Sequence, residues 1–341
     1  MTMRLSVIII GKNEEKHLKK CFQSVVKAVS GIKDSEMIYV DSASTDRSVE
    51  IAQLFPARIL QLKPEWELSA AAGRYIGFLR SEGKYLFFID GDSFIYRGWL
   101  SHAIRFMDEN PAVSGVAGVV HEIFLGSDGS VCGFLRNRYG QDDQTVEAST
   151  LGGIALYRQH TLEKVGPFNP YIPVDEEREL ALRIRKDGLK IVRIPEPMAI
   201  TTGPERETIK EVMRRSRTRL YHFGIPLKYC QRNGMGGQYL KERLGFFVTY
   251  MAAVLSGLIV LIVAWIWDFL FPVFLLSIVL LIVPVLLRKK NMRSMINSFL
   301  KRTVLSYWTI KSYFQTQIHE ISDYPTDVIV HGTKQRNPGG E

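Results

Sequence analysis

Cysteine is scarce in this chain, and no two cysteines stand at metal-ligand spacing. Cys21, Cys132 and Cys230 are the only three among 341 residues. An odd, scattered set excludes a disulfide scaffold and a thiolate zinc site, and fits a reducing compartment. A leader is also missing from the expected place. The first apolar run, Leu5–Ile10, ends at Gly11-Lys12 and is too short for a signal peptide, so the N-terminal region is expected in the cytoplasm. Acidic residues are in deficit, 35 against 44 Lys and Arg, a net charge of +9. That excess suits a phosphate-bearing ligand or an anionic membrane surface. It gathers beside apolar segments and not in an aromatic-lined stripe, which argues against a nucleic-acid partner. With 46% hydrophobic and 23% charged residues the whole chain is neither disordered nor fibrous. Its length suits one large domain plus an appendage, or two modest domains.

Charge is missing altogether from two stretches. Leu244–Trp267 holds none, and as a helix it would be about 36 Å long against a hydrocarbon core about 30 Å thick. Phe269–Leu287 holds none either and would reach about 28 Å. Asp268 separates them; Lys241 and Arg243 precede the pair, and Arg288, Lys289 and Lys290 follow it. The positive-inside rule then predicts a transmembrane hairpin with both ends cytoplasmic. Trp265 and Trp267 sit at the turn, as an aromatic belt would, and Ala252/Ser256 and Ala253/Gly257 offer small residues for close helix packing. From 291 to 320, Met295, Ile296, Phe299, Val304, Trp308 and Phe314 recur near helical spacing between basic residues, the pattern of an amphipathic helix on the membrane surface. The tail from Asp323 reads as loose. The expected domains are a soluble domain over 1–204, a basic interfacial segment over 205–243, the hairpin over 244–287, and a cytoplasmic amphipathic helix and tail over 288–341. The chain is placed in the cytoplasmic (inner) membrane, with self-association into a homo-oligomer left open.

The soluble part alternates strand and helix. Leu5–Ile10, Met37–Val40, Ile59–Leu62 and Tyr85–Ile89 are apolar, strand-like runs; Glu14–Val29, Ser48–Leu54 and Ser69–Arg80 carry helical periodicity. This order predicts an α/β fold with a parallel sheet and right-handed crossovers, whose ligands bind at the carboxyl ends of the strands. Gly11, Asp41 and Asp90 occupy such ends. Asp90-Gly91-Asp92 puts two carboxylates just past a buried strand, a pattern that suits Mg2+ or Mn2+ shared with phosphate oxygens. Asp41 can accept from a base N–H or a ribose hydroxyl, and Asp46 stands where a helix cap would. Arg74, on the helix before the Asp90 strand, could reach a diphosphate.

Leu-Ser-Val-Ile-Ile-Ile-Gly-Lys-Asn-Glu-Glu, then Val-Asp-Ser-Ala-Ser-Thr-Asp, then Phe-Ile-Asp-Gly-Asp, in that order, resemble the family 2 inverting glycosyltransferases of the GT-A fold, in their membrane-anchored bacterial and archaeal type. The resemblance covers about residues 4–200. It implies that Lys12, Asn13, Glu14, Asp41, Arg74, Asp90 and Gly91 face a nucleotide-sugar donor, and that Asp90 and Asp92 bind the metal. Two departures stand out. Lys12 replaces a frequent aromatic residue that stacks on the base. Phe94 replaces a metal-ligating glutamine found in dolichol-phosphate-mannose synthase-like members, which disfavours a simple polyprenyl-phosphate acceptor.

The acceptor half is similar to the family too: Gly152-Gly153, Val165-Gly166-Pro-Phe-Asn169, then Asp175-Glu176-Glu177. The family's Glu-Asp pair falls on Glu176-Glu177, so Glu177 takes the base position, with Asp175 and Glu176 as alternatives. On a helix from Asp175, Glu177 shares a face with Leu180, Ala181 and Ile184, which points it inward, where burial would raise its pKa. Gly153 and, before the hairpin, Arg215, Arg219 and His222 are candidates for the acceptor or a lipid diphosphate. With two spans the enzyme is expected to be non-processive, adding a sugar from a UDP-sugar in preference to a GDP-sugar to a lipid-linked or cell-envelope glycan. The alternatives are a polyprenyl-phosphate glycosyltransferase and a catalytically dead membrane scaffold. A sugar-nucleotide pyrophosphorylase would need a glycine-rich basic loop that Gly11-Lys12-Asn13-Glu14 does not supply.

Overall fold

A computed structural model describes residues 3–126, 130–135, 137–140, 143–204, 209–266, 272–273, 276–278 and 292–332. The chain divides into two compact units: residues 1–205 together with 319–341, and residues 206–318.

The first unit is built on one mixed sheet. Its strands are β1 (Leu5–Gly11), β2 (Ser35–Asp41), β3 (Arg58–Gln61), β4 (Tyr85–Asp90), β5 (Ser93–Ile95), β6 (Val113–Leu125), β7 (Val131–Leu135), β8 (Val146–Glu147), β9 (Ala155–Arg158), β10 (Lys190–Pro204) and β11 (Ile329–His331). They run in the order β11-β3-β2-β1-β4-β9-β6-β10-β5, with β7 beside β6 and β8 beside β10. β3, β2, β1 and β4 are parallel, as the strand–helix alternation predicts; β9 then enters antiparallel to both β4 and β6. β1 and β4 are buried on both faces, which explains their unbroken apolar runs.

The helices of this unit are α1 (Leu18–Val29), α2 (Ser48–Ala52), α3 (Ala70–Leu79), α4 (Trp99–Glu109), α5 (Gln159–Val165) and α6 (Glu176–Lys186). α1 begins four residues later than its periodicity predicts. The backbone N–H groups of Glu14 and Glu15 donate to Ser48 Oγ and Asp46, so those residues fold into a turn laced to the loop after β2. α3 starts at a Ser69 cap that accepts from the Ala72 N–H. It lies tight on β1: a Cβ at Gly77 would come within 2.3 Å of Ile8 Cγ2. That contact sets the height of Arg74 above the strand ends.

The tail expected to be loose is not. Residues 319–332 belong to the first unit, and β11 extends the sheet beyond β3. Tyr324 is buried beside Trp66, Tyr75 and Tyr171 and donates to the Glu67 carbonyl. Lys63 pairs with Asp327. Short polar stretches gave no hydrophobic period to read, yet one tyrosine and three strand residues are enough to dock the segment on an open edge. The 288–341 segment therefore splits between the units and is not one piece.

The second unit contains α7 (Ile209–Arg217), α8 (Gly224–Arg232), α9 (Gly236–Arg243), α10 (Gly245–Ile266) and α11 (Met292–Gln315). Among the described residues, α10 alone is long and apolar enough to cross a membrane, and its Gly245–Val263 stretch is wholly unburied. The second arm of the predicted hairpin, 269–287, lies outside the described residues except at 272–273 and 276–278. α11 falls where the amphipathic period predicts. Its buried face is small and polar, Ser306, Thr309 and Ser312, whereas Phe299 and Phe314 are exposed. Gly224 makes this packing possible, because a Cβ there would stand 2.0 Å from the Thr309 carbonyl oxygen.

Candidate active site

The carboxyl ends of β1, β2 and β4 converge with the start of α6 around one guanidinium. Arg74 is 2% exposed. Its two terminal nitrogens donate to Asp90 Oδ1 and Glu176 Oε1, each at 2.7 Å, and one reaches the Gly153 carbonyl at 3.3 Å. Phe168 covers its face at 5.5 Å. The sequence aims Arg74 at a diphosphate; in the structure it braces the Asp90 strand against the acidic helix. A buried guanidinium must place its N–H donors on acceptors, and for Arg74 two of those acceptors are carboxylates. Gly153 is part of the same brace: a Cβ on it would lie 2.7 Å from an Arg74 nitrogen.

The inward carboxylate is also shifted by one residue. Asp175 takes a left-handed backbone conformation (φ 54°) and starts α6 one residue later than the helical wheel assumed. Glu176 is buried, while Glu177 is half-exposed. Burial first, and then the charge of Glu177, push the Glu176 carboxyl up to about 8 against the pull of Arg74. Arg74 cannot fully offset this because it is shared with Asp90.

Glu14 is raised for a related reason. Burial, then the fields of Asp92, Asp90 and Asp46, push it up to about 8. The ends of β1 and β4 therefore carry more negative charge than the protein neutralises. That surplus, on hard carboxylate oxygens, fits a divalent cation at Asp90 and Asp92. Among the described residues no three His, Cys, Asp or Glu side chains could hold a metal together, so a bound diphosphate would have to complete the coordination. Gly91 is fixed here by its N–H bond to the Ile10 carbonyl, and Cys21 donates its thiol to the Asp90 carbonyl at 3.6 Å.

Asp41 is fully buried. Oδ1 accepts from Tyr39 Oη, and Oδ2 from the Ser44 N–H and Gln61 Nε2. Asn13, in the left-handed region at φ 58°, is locked to the same loop: its N–H donates to Ser44 Oγ and its Oδ1 accepts from the Thr45 N–H. Lys12 is exposed beside it. The first two motifs are thus one hydrogen-bonded body, with Asp41 as its internal anchor.

Arg215, Arg219 and His222 fall in the other unit. Arg215 donates to Glu211, and His222 bonds the Ser216 carbonyl and stacks on Trp308 at 4.6 Å. Arg219 is exposed with φ 65°. Spacing did not reveal Tyr139 and Arg193. Arg193 lies 3.6 Å over the Tyr139 ring and donates to the Thr150 carbonyl, just before Gly152-Gly153. The glycine pair was the available signal: at Gly152 (φ 76°) a Cβ would collide with Tyr139 Oη.

Residues 6–166 match the model for glycosyl transferase family 2. The chain carries a family 2 glycosyltransferase domain. Its mixed sheet with flanking helices is the GT-A-like arrangement the motifs imply. Among relatives, poly(ribitol-phosphate) beta-N-acetylglucosaminyltransferase TarS of Staphylococcus aureus is 26% identical over 32% of this chain and 19% of its own length. Glycosyltransferase AglE of Haloferax volcanii is 29% identical over 48% of this chain and 55% of its own. This chain thus spans about a fifth and about half the length of these two. A crystal structure of S. aureus TarS 1-349 in complex with UDP-GlcNAc gives a TM-score of 0.49 at 20% identity, covering 60% of this chain and 59% of that one.

Proposed function

We propose that the family 2 domain transfers a sugar from a nucleoside-diphosphate donor, UDP-linked in preference to GDP-linked, to a lipid-linked or cell-envelope glycan, with inversion and one sugar at a time. The observation that carries this reading is the Arg74 brace, which ties the Asp90 strand end to the acidic start of α6. The named activities of the relatives agree: TarS acts on poly(ribitol-phosphate), and another relative, GgaB of Bacillus subtilis, is a minor teichoic acid biosynthesis protein.

In this reading the acceptor oxygen attacks the anomeric carbon as the bond to the diphosphate breaks. Glu177 takes the acceptor proton: it is half-exposed at the start of α6, whereas Glu176 is held by Arg74. Arg74 keeps Asp90 and Glu176 in place. Mg2+ or Mn2+ at Asp90 and Asp92 would supply charge stabilisation for the departing diphosphate. The unburied α10 and the apolar run 269–287 would anchor the chain in the cytoplasmic membrane, with the exposed Phe299 and Phe314 of α11 at its surface.

Calorimetric titration of the detergent-purified chain with UDP, GDP and CDP, with and without Mn2+, tests this. Metal-dependent binding of UDP, lost in Asp92→Ala, is expected. Silence from all three nucleotides would overturn the donor reading in favour of a dead scaffold.

A further inference from the structure

β11 does more than cap an open sheet edge. His331 lies opposite Ile59 in its register with β3, and its Nε2 is 2.9 Å from Gln61 Oε1. Gln61 Nε2 in turn donates to Asp41 Oδ2 at 3.0 Å. The chemistry fixes the direction of this chain of bonds. An ionised carboxylate only accepts, so the Gln61 amide must present its NH2 to Asp41 and its oxygen to His331. That oxygen also only accepts, so His331 must carry its proton on Nε2. The relay continues inward: Asp41 Oδ2 accepts the Ser44 N–H at 2.7 Å, and Ser44 Oγ accepts the Asn13 N–H at 2.8 Å. Asn13 sits beside the exposed Lys12 and two residues past the end of β1.

We infer that His331 is a positioning residue for the donor site: through Gln61 and Asp41 it sets the shape of the loops that carry Asn13 and Ser44. The segment that rejoins the first unit after residue 318 thereby completes the nucleotide-facing half of the domain. Without the His331 donor, Gln61 Oε1 loses the contact that holds the side chain in place, and its NH2 can swing away from Asp41. Oδ2 then loses one of its two donors, and the Ser44 turn loosens. No part of the relay touches the transferred sugar, so its effect falls on nucleotide affinity and loop order, not on the chemical step. The inference rests on the donor reading above for its functional consequence and on hydrogen bonds alone for its structural one.

Three full-length detergent-purified proteins separate these: wild type, His331→Leu and His331→Gln. Two quantities are read, UDP affinity with Mn2+ and backbone hydrogen exchange at Ser44 and Thr45. His331→Leu is expected to speed exchange at Ser44 and to weaken UDP binding, each about fivefold, the worth of one hydrogen bond near 1 kcal/mol. Turnover at saturating donor should be unchanged, and His331→Gln, which keeps an N–H donor, should restore both quantities to within about twofold. Unchanged exchange in His331→Leu would overturn the relay. Faster exchange with unchanged UDP affinity would confine it to a structural role and overturn the functional part. If wild type binds no UDP, the donor reading fails, while the exchange result still decides the relay.

Discussion

Among the described residues, the buried arginines and the two most exposed aromatic rings lie in different units. In the family 2 domain Arg74, Arg158 and Arg193 are 2%, 6% and 4% exposed, each bonded to interior groups. In the helical unit the Arg214 side chain is 55% exposed, while Trp265 and Phe314 are 87% and 76% exposed. A water-facing domain hides its apolar atoms and accepts the cost of burying a cation only where geometry demands one. The helical unit shows apolar rings outward and closes its helix contacts with serine, threonine and glycine, as the proposed membrane anchoring requires.

Several substitutions would break or sharpen this contrast. The largest effect is expected from Glu177→Gln, which should lower transfer by about 10²–10⁴-fold while donor binding persists. His222→Gln, in the helical unit, should leave turnover near normal in the same assay. An equal loss in both variants would mean that the chemistry is shared between the units. Next, Arg74→Met leaves Asp90 and Glu176 without their cation and should cost about 3–5 kcal/mol in denaturant unfolding. Arg215→Met leaves Glu211 with Arg214 and should cost under about 1 kcal/mol. Gly77→Ala and Gly224→Ala each force a methyl into occupied space, against Ile8 in one unit and a backbone carbonyl in the other. Each should lower stability by about 1–3 kcal/mol in thermal or denaturant unfolding.

The smallest and most specific contrast is with pH. Glu176 is raised to about 8 because burial and Glu177 outweigh a shared arginine. Such a group stabilises the fold at low pH, and its contribution fades as pH rises from about 4.5 through 8. Glu211 is held down at about 2 because hydrogen bonds from Arg214, joined by Arg215, outweigh burial. Its contribution is present above about 4.5 and is lost as pH falls towards 2. Glu176→Gln should therefore flatten the alkaline side of the stability profile and Glu211→Gln the acid side. Profiles that change on the same side would refute the opposite signs.

Periodicity and strand-end positions made the first half of the sheet legible, because β1, β2 and β4 are short apolar runs and the crossover helices carry a clear buried face. The antiparallel insertion of β9 was not legible: Ala155–Arg158 is four residues whose partners lie far along the chain. At the site, the motifs marked segments that the fold brings together at the strand ends, but not the contacts among them. Arg74 and Glu176 are 102 residues apart, and no local pattern tells a bracing arginine from one that faces a ligand. Which of Glu176 and Glu177 is buried turned on one left-handed residue, Asp175, which rotates the helix start by a step that spacing cannot register. β11 was missed because three residues that complete another strand's edge need no pattern of their own.

The return of residues 319–332 to the first unit imposes a parity on the whole chain. The polypeptide leaves that unit near 205 and rejoins the same sheet at Ile329. A single folded body lies on one side of a bilayer, so every outward crossing made in between must be matched by an inward one. A crossing by α10 alone would strand β11 on the far side, away from the strand it pairs with. If α10 spans the membrane, the chain must cross back before residue 319, and the uncharged run Phe269–Leu287 is the stretch of sequence in that interval able to do so.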